Sequence, residues 1–133
     1  MGSVIDTSIL IDAEHGGVDL ERLLAAFPGE DWTISSVTVS ELLHGSLRGG
    51  SPALRARRLN FAEAAVERFP VLPFDLIAAR AHARIWAELA RSGRTIGERD
   101  LMIAATAMSR DYSIATRDLR SFPMIQGLRL LSV

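Results

Sequence analysis

The chain's pattern predicts a mainly parallel α/β fold, with a central sheet of about five short strands flanked by helices. Two observations carry that expectation. Short apolar or β-branched runs near residues 2–6, 32–35, 71–74, 113–116 and 128–133 alternate with longer stretches of helical apolar spacing. Strands separated by helices need crossover connections, and these cover both faces of a parallel sheet. With 133 residues, 48% hydrophobic and 23% charged, the chain has the length and composition of one folded core. Residues 1–133 are therefore read as a single domain.

Each element has a local reason. Residues 2–6 are a buried strand, and residues 8–14 a short helix stopped by Gly16-Gly17. Leu20, Leu23, Leu24 and Phe27 are spaced for a helix, which Pro28-Gly29 ends. Trp32-Thr33-Ile34-Ser35 favours a strand through its aromatic and β-branched residues. A helix follows from about Val37 to Arg48, broken by Gly49-Gly50-Ser51-Pro52, and a second runs from Pro52 to Phe69. Val71 to Phe74 is a short strand, and Asp75 is placed to cap a long helix reaching Ser92 and Gly93. An alanine-rich helix from Glu98 through Met108, a strand at Ser113–Thr116 and a last strand over Leu128–Val133 complete the chain.

Composition removes several function classes. The chain has no cysteine, which excludes disulfides and thiolate metal sites and suits a reducing, cytoplasmic setting. The first apolar run lacks a basic lead and is interrupted by Asp6 and Asp12, so no secretory leader and no membrane span are expected. No lysine is present, which argues against an aspartate-based phosphotransfer domain, whose chemistry needs one beside the phosphorylated carboxylate. Net charge is −1, so assigning four acids to one site leaves +3 on the rest, all from arginine. Arginine's planar fork suits phosphate.

Four acids stand at strand or helix boundaries. Asp6 ends the first strand, and Asp118 follows the fourth by two residues, placing both at the carboxyl rim where ligands collect in open α/β sheets. Glu41 lies early in the third helix and Asp100 in the first turn of the sixth. Each also has a plain structural use. Asp6 can cap a helix, and Thr38 with Glu41 matches a capping box. Asp100 suits a helix dipole, and Asp118 suits an Asx-type turn. Glu98 falls on a different helical face from Asp100 and is assigned to an outer position or to solvent. Carboxylates brought together without a cation repel one another, and an all-oxygen set suits Mg²⁺ or Mn²⁺. His15, His44 and His82 show no zinc spacing and are read as structural or surface residues.

Val4-Ile5-Asp6-Thr7-Ser8, Ser35 through Leu42, Ile96 through Ala105 and Ile114-Ala115-Thr116-Arg117-Asp118 resemble, in this order, the PIN-domain family and specifically VapC-type toxin ribonucleases. One departure is that many relatives carry an acid where this chain has Ser121-Phe122, and others keep asparagine at the place of Asp118. The resemblance implies a metal-dependent endoribonuclease in which Asp6, Glu41, Asp100 and Asp118 hold Mg²⁺ or Mn²⁺ and a water attacks the RNA phosphodiester. It also implies a homodimer and a VapB-like antitoxin partner. Thr7 or Thr116 is then placed to position a ligand, and Arg55, Arg57 and Arg58 can steer RNA or simply solvate a helix face. The competing expectation is a catalytically silent PIN-like domain that binds RNA or protein.

Overall fold

A computed structural model describes residues 1–133. Its elements run β1 (Gly2–Ile5), α1 (Thr7–Glu14), α2 (Leu20–Ala25), β2 (Asp31–Ser35), α3 (Ser36–Leu47), α4 (Pro52–Arg68), β3 (Val71–Leu72), α5 (Leu76–Arg91), α6 (Glu98–Ser109), β4 (Ser113–Thr116) and β5 (Leu130–Ser132). The five strands form one sheet in the order β3-β2-β1-β4-β5, parallel at every pairing. The expected architecture is present.

Alternation along the strands divides the interior in two. Val4 and Ile114 face a core closed by Ala81, Ile85 and Leu89 of α5 and by Ile103, Ala104 and Ala107 of α6. Ile5 and Ile34 face the opposite core, shared with Ile9 and Leu10 of α1 and with Ala62 and Ala65 of α4. Three alanines of α6 are fully buried, so this helix lies close against the sheet. Helix α3 contributes Val37 to one core and Leu42 to the other. It therefore spans the sheet's rim, and Glu41 rides with it.

Helix ends follow local chemistry. At the end of α1, Gly16 has φ +80°, Gly17 N–H donates to Asp12 C=O at 2.8 Å, and Gly16 N–H donates to Ala13 C=O at 3.1 Å, a Schellman closure. Helix α6 closes the same way through Asp111 at φ 58° rather than through glycine, with Tyr112 N–H donating to Ala107 C=O at 2.9 Å. Asp75 caps α5 by accepting from Ala78 N–H at 3.0 Å, as expected. Strand β3 is shorter than the predicted Val71–Phe74 because Pro73 has no N–H to extend the ladder. An unanticipated 3-10 turn at Phe122–Met124 seats the Phe122 ring in the core.

Candidate active site

Strand order places the chain's reversal at β1. From there the chain moves outward through β2 and β3, then crosses back to β4 and β5. Crevices beyond the carboxyl ends of strands form at such points. The four acids arrive there from four elements: Asp6 beyond β1, Glu41 on α3, Asp100 on α6 and Asp118 beyond β4.

Asp6 occupies the N-cap position of α1, yet its side chain makes no capping hydrogen bond. Its Oδ2 instead accepts from Ser8 Oγ at 2.8 Å and from Thr116 Oγ1 at 2.9 Å. The residue is 3% exposed, has no basic partner, and accepts both of its side-chain hydrogen bonds from hydroxyls. The capping explanation for Asp6 is thereby set aside.

Glu41 is not part of a capping box either. Helix α3 is capped by Ser35, whose Oγ accepts from Val37 N–H at 3.0 Å, which puts Glu41 in the second turn. Thr7 donates to Glu41 Oε1 at 2.8 Å and lies 2.8 Å from Thr38 Oγ1. A hydroxyl has one proton, so Thr38 must be the donor in that second contact. The order Thr38 to Thr7 to Glu41 ties α1 to α3 and fixes the carboxylate. Its other oxygen lies 3.3 Å from Arg99 Nε, which donates from the first turn of α6.

Asp100 feels the whole group. Partial burial, and then the charges of Asp6, Glu41 and Asp118 in that order, push its carboxyl from 3.8 up to about 6, with Arg99 pulling the other way. Asp118 behaves differently. Its Oδ1 accepts from Arg120 N–H at 2.8 Å and from Ser121 N–H at 3.1 Å, and these bonds hold its carboxyl below the usual range. It forms the Asx-type turn expected from its place after β4, and its charge still reaches Asp100. Thr116 links both sides: it donates to Asp6 and accepts from Asp118 N–H at 2.8 Å.

All four predicted site residues thus share one rim. Asp6, Glu41 and Asp118 are near enough to act on Asp100, but no three of the chain's acids and histidines stand in metal-holding geometry. The donor set, all carboxylate oxygen with Asp6 Oδ1 free of protein hydrogen bonds, fits a hard divalent cation. Glu98 is exposed and lines a separate cleft with His82 and Trp86. His82 packs edge-on against Phe74, as a structural histidine does. Arg55 and Arg58 donate to the carbonyls of Gly50 and Gly45, so part of that basic stretch ties the α3–α4 connection together. Arg99, to which the sequence assigned no role, is the basic side chain that contacts this group, through Glu41. Its place one residue before Asp100 was the available signal.

The PIN domain family model matches residues 3–127. Ribonuclease VapC1 of Rickettsia felis is 38% identical over 133 residues, covering 100% of this chain and 97% of the relative. The tRNA(fMet)-specific endonuclease VapC of Shigella flexneri is 44% identical over 96 residues, covering 72% of this chain and 70% of the relative. Among solved structures, DNA-bound VapBC from Salmonella typhimurium superposes with a TM-score of 0.87 at 31% identity, covering 98% of this chain and 97% of that one. With the sheet order, the acid placement and these likenesses together, the chain belongs to the PIN domain family, in its VapC branch.

Proposed function

We propose that the chain is a divalent-metal-dependent endoribonuclease and the toxin half of a VapBC-type pair. The observation that carries this reading is the convergence of Asp6, Glu41, Asp100 and Asp118 at one crevice, with Asp6 withdrawn from its capping role. The VapC relatives bearing the names ribonuclease and endonuclease support the activity. VapBC complexes of the same fold support a VapB-like antitoxin as partner. A homodimer completes the assembly we infer.

In this reading the four acids hold Mg²⁺ or Mn²⁺. When bound, such an ion would lower the pKa of a water and offset charge gathering on the phosphate. The chain's own residues do the rest. Thr116 and Ser8 hold the Asp6 carboxylate by its Oδ2, leaving Oδ1 without a protein hydrogen bond. Thr7, backed by Thr38, holds Glu41. Asp6 or Asp100 orients the water for in-line attack, leaving a 5′-phosphate and a 3′-hydroxyl. Arg99, exposed beside Glu41, is placed to meet a substrate phosphate once a cation has satisfied the acid.

The test is cleavage of total RNA by the purified protein in millimolar Mg²⁺ or Mn²⁺, with and without EDTA, and with the product ends mapped. Metal-dependent cuts with 5′-phosphate ends are expected; cleavage that survives EDTA contradicts the reading. Thr116→Val keeps the side-chain shape but removes the hydroxyl that joins Asp6 to Asp118. It is expected to weaken divalent-ion affinity by about 10–100-fold. Calorimetric titration of Mn²⁺ into the variant checks this.

A further inference from the structure

Beyond β4 the chain makes a tight turn before Phe122 anchors it in the core. Asp118 accepts from the N–H groups of Arg120 and Ser121, and its own N–H donates to Thr116 Oγ1. The turn is thus fixed at both ends, while Arg117, Leu119 and Arg120 remain exposed, Leu119 at 67%. Because Asp118 already occupies the N–H groups of residues 120 and 121, an anion meeting this turn is met by side chains.

Neither guanidinium of this turn is engaged. Arg57, Arg68, Arg99, Arg110 and Arg129 stand in ion pairs, and Arg55 and Arg58 donate to carbonyls, whereas Arg117 and Arg120 do neither. With Ser8, Asp118, Leu119 and Ser121 they line an open cavity of about 460 Å³. Asp118 belongs to the acidic crevice, and Ser8 donates to Asp6. The cavity therefore continues directly from the crevice, on the side away from the Arg99–Glu41 pair.

We propose that this cavity seats an RNA phosphate neighbouring the scissile one, gripped by Arg117 and Arg120. The proposal rests on the nuclease reading above for its substrate and on the turn's geometry for the contact. Four carboxylates repel a phosphate backbone, and one divalent ion offsets only half of their charge. A strand crossing the crevice therefore needs cations beside it, and Arg99 is already turned to Glu41. Free guanidinium forks match phosphate oxygens in shape and charge. Leu119 adds an apolar surface between the two arginines, which suits the sugar and base that the phosphate carries. An acidic peptide is the other ligand for such cations, but it brings carboxylates against Asp118 and Asp6, where like charges repel. Contacts to phosphate position a strand without reading its bases, so this grip sets register and not sequence.

The experiment uses a short synthetic RNA spanning one mapped cut. Arg117→Gln and Arg120→Gln keep the backbone bonds of the turn, and each is expected to raise KM about tenfold with kcat unchanged. Each should also flatten the fall of log(kcat/KM) with log salt by about 0.7. Arg84→Gln removes the same charge from the exposed side of α5 and is expected to leave KM as it is. Equal losses in all three variants, or no loss in the first two, overturn the grip. In a second series one phosphate at a time becomes an uncharged methylphosphonate on a 2′-O-methyl nucleotide, compared with the same RNA keeping the phosphate. At one position beside the cut this is expected to cost the wild type about tenfold and the Arg117, Arg120 double variant little more. Additive losses at every position overturn the proposal. So does a wild type indifferent to every neutral phosphate, a result that depends on no variant folding. Anisotropy with a short fluorescent single strand separates the two readings. If RNA is bound but not cut, weaker binding in the Arg117 and Arg120 variants alone keeps the subsite while the nuclease reading fails. Equal binding in all the variants, or no RNA binding by the wild type, overturns the subsite. Binding of a polyglutamate peptide that needs both arginines, with no such effect on RNA, also overturns it in favour of a protein occupant.

Discussion

Asp6→Asn is expected to lower metal-dependent RNA cleavage by about 10²–10³-fold while leaving the fold intact. The amide keeps the shape of the carboxylate and can still accept from Thr116 and Ser8, which now meet Asp6 Oδ2 at 2.9 and 2.8 Å. What it loses is the charge. Asp6 is nearly buried and heads the neighbouring charges acting on Asp100, so its removal takes away the most enclosed anion of the group. Cleavage kinetics at saturating Mn²⁺, beside a thermal melt showing an unchanged fold, measure the effect. Wild-type rates in the variant are incompatible with the assigned role.

Asp100→Asn is expected to do two things of opposite sign. It should cost cleavage as heavily as Asp6→Asn, and it should stabilise the metal-free protein at pH 7.5. The second effect follows from linkage. In the unfolded chain the carboxyl ionises near 3.8, whereas in the fold it keeps its proton up to about 6. The native state therefore binds more protons across that window, and this group's contribution to stability is lost as pH rises through it. Below the unfolded value both states are protonated, and the variant should match the wild type. Above about pH 6 the asparagine escapes the repulsion, a gain on the order of 1 kcal/mol after allowing for solvent screening of this partly exposed group. Mn²⁺ should reverse the order, because only the wild type gains from binding it. Melting both proteins at pH 3 and pH 7.5 in EDTA, and at pH 7.5 with Mn²⁺, checks the match, the gain and the reversal. A variant less stable than wild type in EDTA at pH 7.5 contradicts the electrostatic account of the crevice.

The parts of this molecule that were legible in its sequence are those set by local chemistry. Strand β4 was predicted at its observed bounds, because Ser113-Ile114-Ala115-Thr116 is a short buried run between a turn and a charge. Asp75 and Gly93 announced the ends of α5. The acids were legible as a set, because each alone had a plain structural use and only four of them at strand and helix boundaries together pointed to a site. What stayed hidden depends on contacts distant in sequence. Thr38 looked like a cap and is instead the donor that orders Thr7 and Glu41 across 31 residues. Asp118 had two uses and serves both as a turn former and as a charge near Asp100. The end of α6 carries aspartate where glycine is the usual sign. Phe122 reads as a loop residue until the fold closes over it. The burial of Glu14 beside an arginine-rich helix had no sequence signal, since an acid in a last helical turn looks like a surface residue.

The central claim is that four acids at one crevice form a divalent-cation site. Calorimetric titration of Mn²⁺ into the metal-free wild type and into Asp6→Asn at pH 7.5 tests it most directly. Saturable binding of one or two ions by the wild type, lost in the variant, is the predicted result. Absence of binding in the wild type, or equal binding in both proteins, would contradict it.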